Sequence, residues 1–152
     1  MCAVKAFDDV DEFARAEGRL LGHSDWITVT QAQVDQYAAL VGDTQWIHTD
    51  PERAAAGPYG GTVVHGFLTV SLLTAMTASI FTVGGTEHIL NLGLDSVRFS
   101  RPIPVGRRIR AAATLRRTRR LPNGFLFGLR MEVEVEDSPG VVCVADTLSM
   151  AV

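Results

Sequence analysis

Val63-Val-His-Gly-Phe-Leu-Thr-Val-Ser-Leu-Leu-Thr-Ala-Met-Thr-Ala-Ser-Ile-Phe-Thr-Val83 runs for 21 residues without a Lys, Arg, Asp or Glu. About 20 apolar residues span a bilayer, so the segment reads as a membrane helix or as one buried in a protein core. It also holds His65, Ser71, Ser79 and four threonines, and no basic or aromatic anchors flank it. A helix apolar on nearly every side is what a fold needs when a sheet wraps around one helix. The reading is a buried central helix starting near His65, about 28 Å long at 1.5 Å per residue.

Downstream of Gly84-Gly85 the period changes from helical to alternating. Residues 87–92, 94–100, 107–119, 125–135 and 141–150 read as strands, separated by Pro102/Pro104, Asn123-Gly124 and Asp137-Ser-Pro-Gly140. Ile109, Ala111, Ala113 and Leu115 form one apolar face, and Phe125, Phe127, Leu129, Met131, Val133 and Val135 another. Matching these faces requires paired residue numbers to sum to an even value, which an Asn123-Gly124 two-residue turn violates. The expectation is a three- or five-residue loop, or a bulge with Gly124 left-handed. Arg110 then faces Glu134 or Glu136.

Upstream, Asp8 to Glu17 carries helical spacing, and Trp26 to Val29 reads as a strand. Thr30-Gln-Ala-Gln33 fits a capping box for a helix ended by Gly42, and Asp50-Pro51 starts a second. Strand, helices, one long buried helix and then a run of strands make an α+β fold with an antiparallel meander, which excludes an alternating dinucleotide fold. A length of 152 residues, 47% apolar and 20% charged, fits one domain spanning residues 1–152.

The net charge of −3 argues against nucleic-acid binding. Ten of 17 acids fall within the first 52 residues, and nine of 14 basic residues lie between Arg101 and Arg130. Much of that basic run reads as the outer face of a sheet; Arg98, Arg101, Arg107 and Arg108, near strand ends, are the candidates for an anionic ligand. Cys2 and Cys143 make no disulfide framework, and Cys143 reads as a small core residue. The acidic start, Asp8 to Glu17, is unlike a signal or transit peptide, and a cytoplasmic location is expected.

Asp43 and His48 lie five apart in a loop bracketed by helices. A neutral imidazole can take a proton from water while a carboxylate orients that water or returns a proton. The same residues could instead satisfy loop N–H groups and fill the core. His65-Gly66 falls at the start of the long helix, where unpaired N–H groups stabilise a carbonyl or oxyanion; alternatively Gly66 serves tight packing and His65 is only an N-cap.

The stretch Gly42-Asp-Thr-Gln-Trp-Ile-His-Thr-Asp-Pro51 through Val64-His-Gly66 to Ser71 closely resembles the signature of MaoC-like dehydratases, the family of R-specific enoyl-CoA hydratases. Resemblance continues at Asn91-Leu-Gly93, Val97-Arg98-Phe99 and Pro102-Ile-Pro-Val-Gly106, and covers roughly Leu20 to the C-terminus. It implies a single hot-dog fold, in which an antiparallel sheet wraps a long central helix. Asp43 and His48 match the family's catalytic acid/base pair. Gly66 matches the glycine whose N–H holds the thioester carbonyl, and Ser71 a serine lining the acyl pocket. His65 beside it and Arg98, for the pantetheine phosphates, complete the substrate-binding expectation. Many members have Asn-Pro where this chain has Gln45-Trp46, and Leu92 stands where a tyrosine is expected.

The resemblance implies reversible hydration of a trans-2-enoyl-CoA to an (R)-3-hydroxyacyl-CoA by a homodimer, with no metal and no redox cofactor. The alternatives are a (3R)-hydroxyacyl-ACP dehydratase of fatty acid synthesis, acting on acyl-ACP, and a non-catalytic acyl-thioester-binding module.

Overall fold

The computed structural model describes residues 4–152, so Cys2 lies outside the described residues. The chain begins with β1 (Lys5–Phe7) and α1 (Val10–Ala14), whose first turn is capped by the Asp9 carboxylate accepting from the Glu12 N–H at 2.7 Å. Short strands β2 (Leu20–His23) and β3 (Ile27–Thr28) lead into α2 (Gln31–Val41). The expected capping box is present: Thr30 Oγ1 accepts from the Gln33 N–H, and the Gln33 side chain accepts from the Thr30 N–H. Next come α3 (Trp46–Thr49), α4 (Pro51–Ala55) and the central helix α5 (Gly66–Ile80). Strands β4 (Phe81–Val83), β5 (Ile89–Phe99), β6 (Arg108–Leu121), β7 (Gly124–Val135) and β8 (Val141–Ala151) complete the chain.

Helix α5 is shorter than its apolar stretch. Its 15 residues span about 22 Å, and Phe81–Val83 leave it to pair in parallel with Lys5–Phe7. Phe81 and Val83 are apolar and Thr82 and Val83 β-branched, which suits a strand as well as a helix. Here the tertiary partner decides.

The main sheet is antiparallel, in the order β2-β6-β7-β8-β5, with β3 pairing β6 beyond the end of β2. Its concave face supplies Ile109, Ala111, Ala113 and Leu115 of β6 and Phe125 to Val135 of β7, at alternate positions, all buried. Against them pack Leu73, Met76 and Ile80 of α5 and Phe13 of α1, with Cys143 and Ala145 of β8 in the same core. Burial pushes the Cys143 thiol up to about 11.

The β6–β7 hairpin corrects the expected loop. Its turn has two residues, Pro122-Asn123, with Leu121 paired to Gly124, and Gly124 takes a positive φ, 156°, that favours glycine. Pairs near this turn have odd sums. A bulge between Leu115 and Arg117 then restores the even sums that bring Leu115 opposite Leu129 and Ile109 opposite Val135. On the turn side of the bulge, Thr118 and Arg120 reach α1 and its C-terminal flank, bonding Glu17 and Asp11. Arg110 pairs with Glu134 as expected, Nε to Oε1 at 2.5 Å, and Arg108 bonds Glu136 at 2.7 Å. Each such half-exposed pair contributes about 0.2–1 kcal/mol.

The two strands expected over 87–92 and 94–100 are one strand, β5, which begins at Ile89 and ends at Phe99; register shifts at Asn91/Gly93 and Leu94/Ser96 break the alternation that suggested a gap. β5 is an edge strand, and Ile89, Leu90, Leu92, Leu94 and Phe99 on it are exposed. Among the described residues no helix is long and apolar enough to cross a membrane.

Candidate active site

Gly42 ends α2 in the left-handed conformation, at φ 78°, a position that favours glycine. Asp43 follows at once. The segment expected as loop closes instead into the single turn α3, which carries His48, and Asp50 caps α4 with Pro51 at its first position. His48 is buried, and its backbone carbonyl accepts from Gln31 Nε2 at 2.7 Å. Thr62 Oγ1 donates to the Oε1 of the same glutamine at 2.6 Å.

The ring nitrogens of His48 have distinct environments. Nδ1 lies 2.6 Å from the Val63 carbonyl oxygen, which can only accept, so Nδ1 carries the proton. Nε2 of the neutral ring is then the lone-pair nitrogen, and it stands 4.0 Å from Asp43 Oδ2. That separation is too long for a direct hydrogen bond, and one water at about 2.8 Å from each atom would bridge it. Asp43 Oδ1 is occupied by the Gln45 side-chain amide at 2.9 Å, so Oδ2 is the oxygen left for chemistry.

His65 occupies the N-cap of α5, but its side chain makes no capping bond. Its ring stacks on His48, centroids 3.8 Å apart, and its Nε2 lies 2.9 Å from the Asp43 carbonyl oxygen. The first N–H groups of α5 therefore have no capping side chain from His65. At Gly66 a Cβ would fall 2.9 Å from Phe99 Cζ, so the missing side chain makes room for an aromatic ring. Ser71, about 7.5 Å further along α5 by helical rise, borders a mostly apolar cavity of about 850 Å³ that Leu73, Leu92, Leu94, Phe127 and Leu129 also line. Ser71 Oγ itself donates to the Phe67 carbonyl.

Of the arginines proposed for an anionic ligand, Arg101 is spent on the Pro139 and Gly140 carbonyls and Arg107 on that of Glu136. Arg108 holds the Glu136 carboxylate. The side chain of Arg98, on β5, makes no hydrogen bond or ion pair among the described residues. The residues that reading the sequence missed are Gln31 and Gln45. Both are side-chain amides beside a capping or helix-end signal, a position where such groups hold backbone or carboxylates.

Residues 12–125 match the family described as MaoC like domain. The chain belongs to the MaoC-like family. It is 44% identical over 146 residues, 95% of this chain and 97% of the relative, to 3-hydroxyacyl-thioester dehydratase Z of Mycobacterium tuberculosis. Among solved structures, the (R)-hydratase from A. caviae involved in PHA biosynthesis superposes with TM-score 0.72 at 22% identity, over 88% of this chain and 94% of that one. The HadBC (3R-hydroxyacyl-ACP dehydratase) complex from Mycobacterium tuberculosis does so with TM-score 0.69 at 18% identity, over 89% and 97%. The fold is thus the hot-dog fold of MaoC-like dehydratases, and the protein is a hydro-lyase of that family.

Asp43, His48 and His65 of this MaoC-like site bring three possible metal-ligand atoms within 4.8 Å of one another. Their geometry does not suit a shared ion. His65 Nε2 donates to the Asp43 carbonyl, and two stacked rings, 23° from parallel, do not converge their in-plane lone pairs on one point.

The Asp43 carboxyl is held below the ordinary 3.8, first by the Gln45 hydrogen bond and then by His48 and His65, against an opposing effect of burial. It is a carboxylate throughout the neutral range. In Gln45→Ala the Asp43 carboxyl should titrate closer to 3.8, read by side-chain carboxyl NMR; an unmoved titration would contradict the role given to Gln45. Because the folded-state value is the lower one, the associated stabilisation is present above the unfolded value and fades as pH falls through the folded one. Loss of Gln45 therefore lowers stability at neutral pH, and the difference from wild type narrows as the pH falls through these values.

Proposed function

We propose that this protein catalyses the reversible addition of water to trans-2-enoyl-CoA, giving (R)-3-hydroxyacyl-CoA, with Asp43 and His48 as the catalytic pair, Asp43 holding the water and His48 carrying the proton. One observation carries the reading: the lone-pair Nε2 of His48 and the free Oδ2 of Asp43 stand 4.0 Å apart. The open N-terminus of α5 follows, two residue positions beyond the Val63–Val64 segment that holds the His48 ring. The name of the 44% identical relative, a 3-hydroxyacyl-thioester dehydratase, supports the same chemistry.

The steps follow from the donor and acceptor inventory. Water held between Nε2 and Oδ2 points one hydrogen at each. As its oxygen bonds to C3, His48 Nε2 takes one proton, and the electron pair of the double bond moves to C2 and the thioester oxygen. The Gly66 N–H, at the positive end of α5, donates to that oxygen. The proton on His48 then passes to C2, which restores the thioester and the neutral ring. Dehydration is the reverse. The acyl chain would lie in the cavity beside Ser71, where Leu92 in place of a tyrosine leaves apolar room.

CoA is favoured over a carrier protein because five of the nine arginines of the basic segment are neutralised by acids. Arg108, Arg110, Arg117, Arg120 and Arg130 all pair with acids, whereas a carrier protein needs an exposed positive patch. Arg98 is the residue proposed to meet the coenzyme phosphates. The catalytic unit is a homodimer of this single domain, formed over β5, whose exposed apolar edge otherwise invites pairing with other chains. Leu90→Lys on that edge should shift the sedimentation coefficient to that of a monomer; an unchanged dimer would place the interface elsewhere.

The reading is tested by incubating the protein with enoyl-CoA substrates of varied chain length and resolving the product on a chiral column. The R product is expected, and exclusive S product would refute the proposal. Turnover of enoyl-ACP alone would transfer the reading to the carrier protein.

A further inference from the structure

His65 is the buried group whose bonding the proposed mechanism leaves unexplained. A residue at the N-cap ordinarily turns its side chain onto the orphan N–H groups of the first helical turn. His65 turns its side chain away, across 22 residues of sequence, onto the carbonyl of Asp43. That carbonyl can only accept, so Nε2 carries the proton and Nδ1 of the neutral ring is left with a lone pair. Nδ1 is buried and has no hydrogen-bond partner among the described residues. Folded proteins rarely retain such an orphan, and here it accompanies a ring held between Tyr37, at 5.2 Å, and His48, at 3.8 Å.

Two consequences converge on the reacting groups. The Nε2 bond ties the backbone of Asp43 to the start of α5, while Gln45 ties its Oδ1, so that Oδ2 is fixed from two directions. The stacked face of His65 fixes the plane of the His48 ring, whose Nδ1 is already anchored on Val63. His65 is only 3% exposed, and its ring is packed against His48 and Tyr37. Diverting its side chain also leaves the first N–H groups of α5 without a side-chain cap.

We propose that His65 is a positioning residue, which sets Asp43 Oδ2 against His48 Nε2 through its Nε2–H bond to the Asp43 carbonyl. The inference rests on the hydration reading above. Two variants separate its parts: His65→Gln keeps an N–H donor of similar reach and loses the ring, and His65→Phe keeps the ring and loses the donor. With crotonyl-CoA, His65→Phe should lower kcat by about 10²-fold, within the range for misplaced proton-transfer groups, with KM changed less than about threefold. His65→Gln should recover at least about tenfold of that loss. Because the effect passes through Asp43, adding His65→Phe to Asp43→Asn should cost little more than Asp43→Asn alone.

A kcat in His65→Phe equal to wild type, or a loss that multiplies fully with Asp43→Asn, would overturn the inference. A merely structural role would show as parallel losses of activity and melting temperature in both variants. Hydration by the wild type tests the function itself. Should the wild type hydrate no thioester, NMR of the uniformly ¹⁵N-labelled resting protein still decides the inference: His48 ring resonances and the Asp43 amide must move in His65→Phe, and unmoved signals refute it.

Discussion

Asp43→Asn and His48→Gln are each expected to lower crotonyl-CoA hydration by about 10²–10⁴-fold, the usual contribution of a positioned acid or base, with near-UV and far-UV dichroism unchanged. Asparagine keeps the shape of Asp43 and its bond from Gln45 but replaces an oxygen that accepts from water by one that accepts more weakly, or by an N–H₂ donor. Glutamine at position 48 can still donate to Val63, yet its remaining atoms offer no basic nitrogen toward Oδ2. Neither change opens a large void, since both are near in volume to the residues replaced. Wild-type turnover in either variant would remove the pair from the reaction. Loss in the Asp43 variant alone would reassign proton transfer to the carboxylate.

The second large effect is expected at Gly66. A methyl group there meets Cζ of Phe99 at 2.9 Å and Cε1 at 3.2 Å, closer than carbon atoms approach without displacement. Phe99 is part-exposed and packs edge-on against Phe67, centroids 6.3 Å apart, so the ring has somewhere to go. Gly66→Ala should therefore fold and keep its N–H donor while losing about 10²-fold in kcat, because the methyl group or the displaced Phe99 ring misplaces the thioester. The double variant Gly66→Ala/Phe99→Leu divides the causes. Recovery assigns the loss to the displaced ring, and no recovery assigns it to a methyl group in the path of the thioester. Full activity in Gly66→Ala would show that the thioester does not pass close to residue 66.

Legibility in the sequence followed how local each signal is. The Thr30/Gln33 box and the Asp50-Pro51 start are complete within four residues, and both stand in the structure as the sequence reads. The wrapped helix was legible from composition, but its end at Ile80 was not, because the parallel partner of Phe81–Val83 lies more than 70 residues upstream. The parity of β6 and β7 correctly demanded an irregularity. Its location at Arg116 depends on Thr118 and Arg120 meeting acids of α1 and its flank, a contact between distant segments. At the site, the spacing of Asp43 and His48 suggested convergence. The roles of Gln31 and Gln45 rest on side-chain directions that no periodicity encodes, and so does the turn of His65 away from its own helix.

Asp43, His48, His65 and Gly66 all fall within a single stretch of 24 residues whose helices α3 and α4 have four and five residues. The sheet that defines the fold is built from strands of up to 14 residues with extensive ladders. Such a segment opens at a lower free energy than the sheet behind it. Amide hydrogens of α3 should exchange before those of β7, and denaturant should abolish turnover while the sheet's spectrum persists. If the proposed site is the working one, catalytic competence is a measure of local cohesion around residues 43–66, and a melting curve of the whole chain will overstate the range in which the protein works.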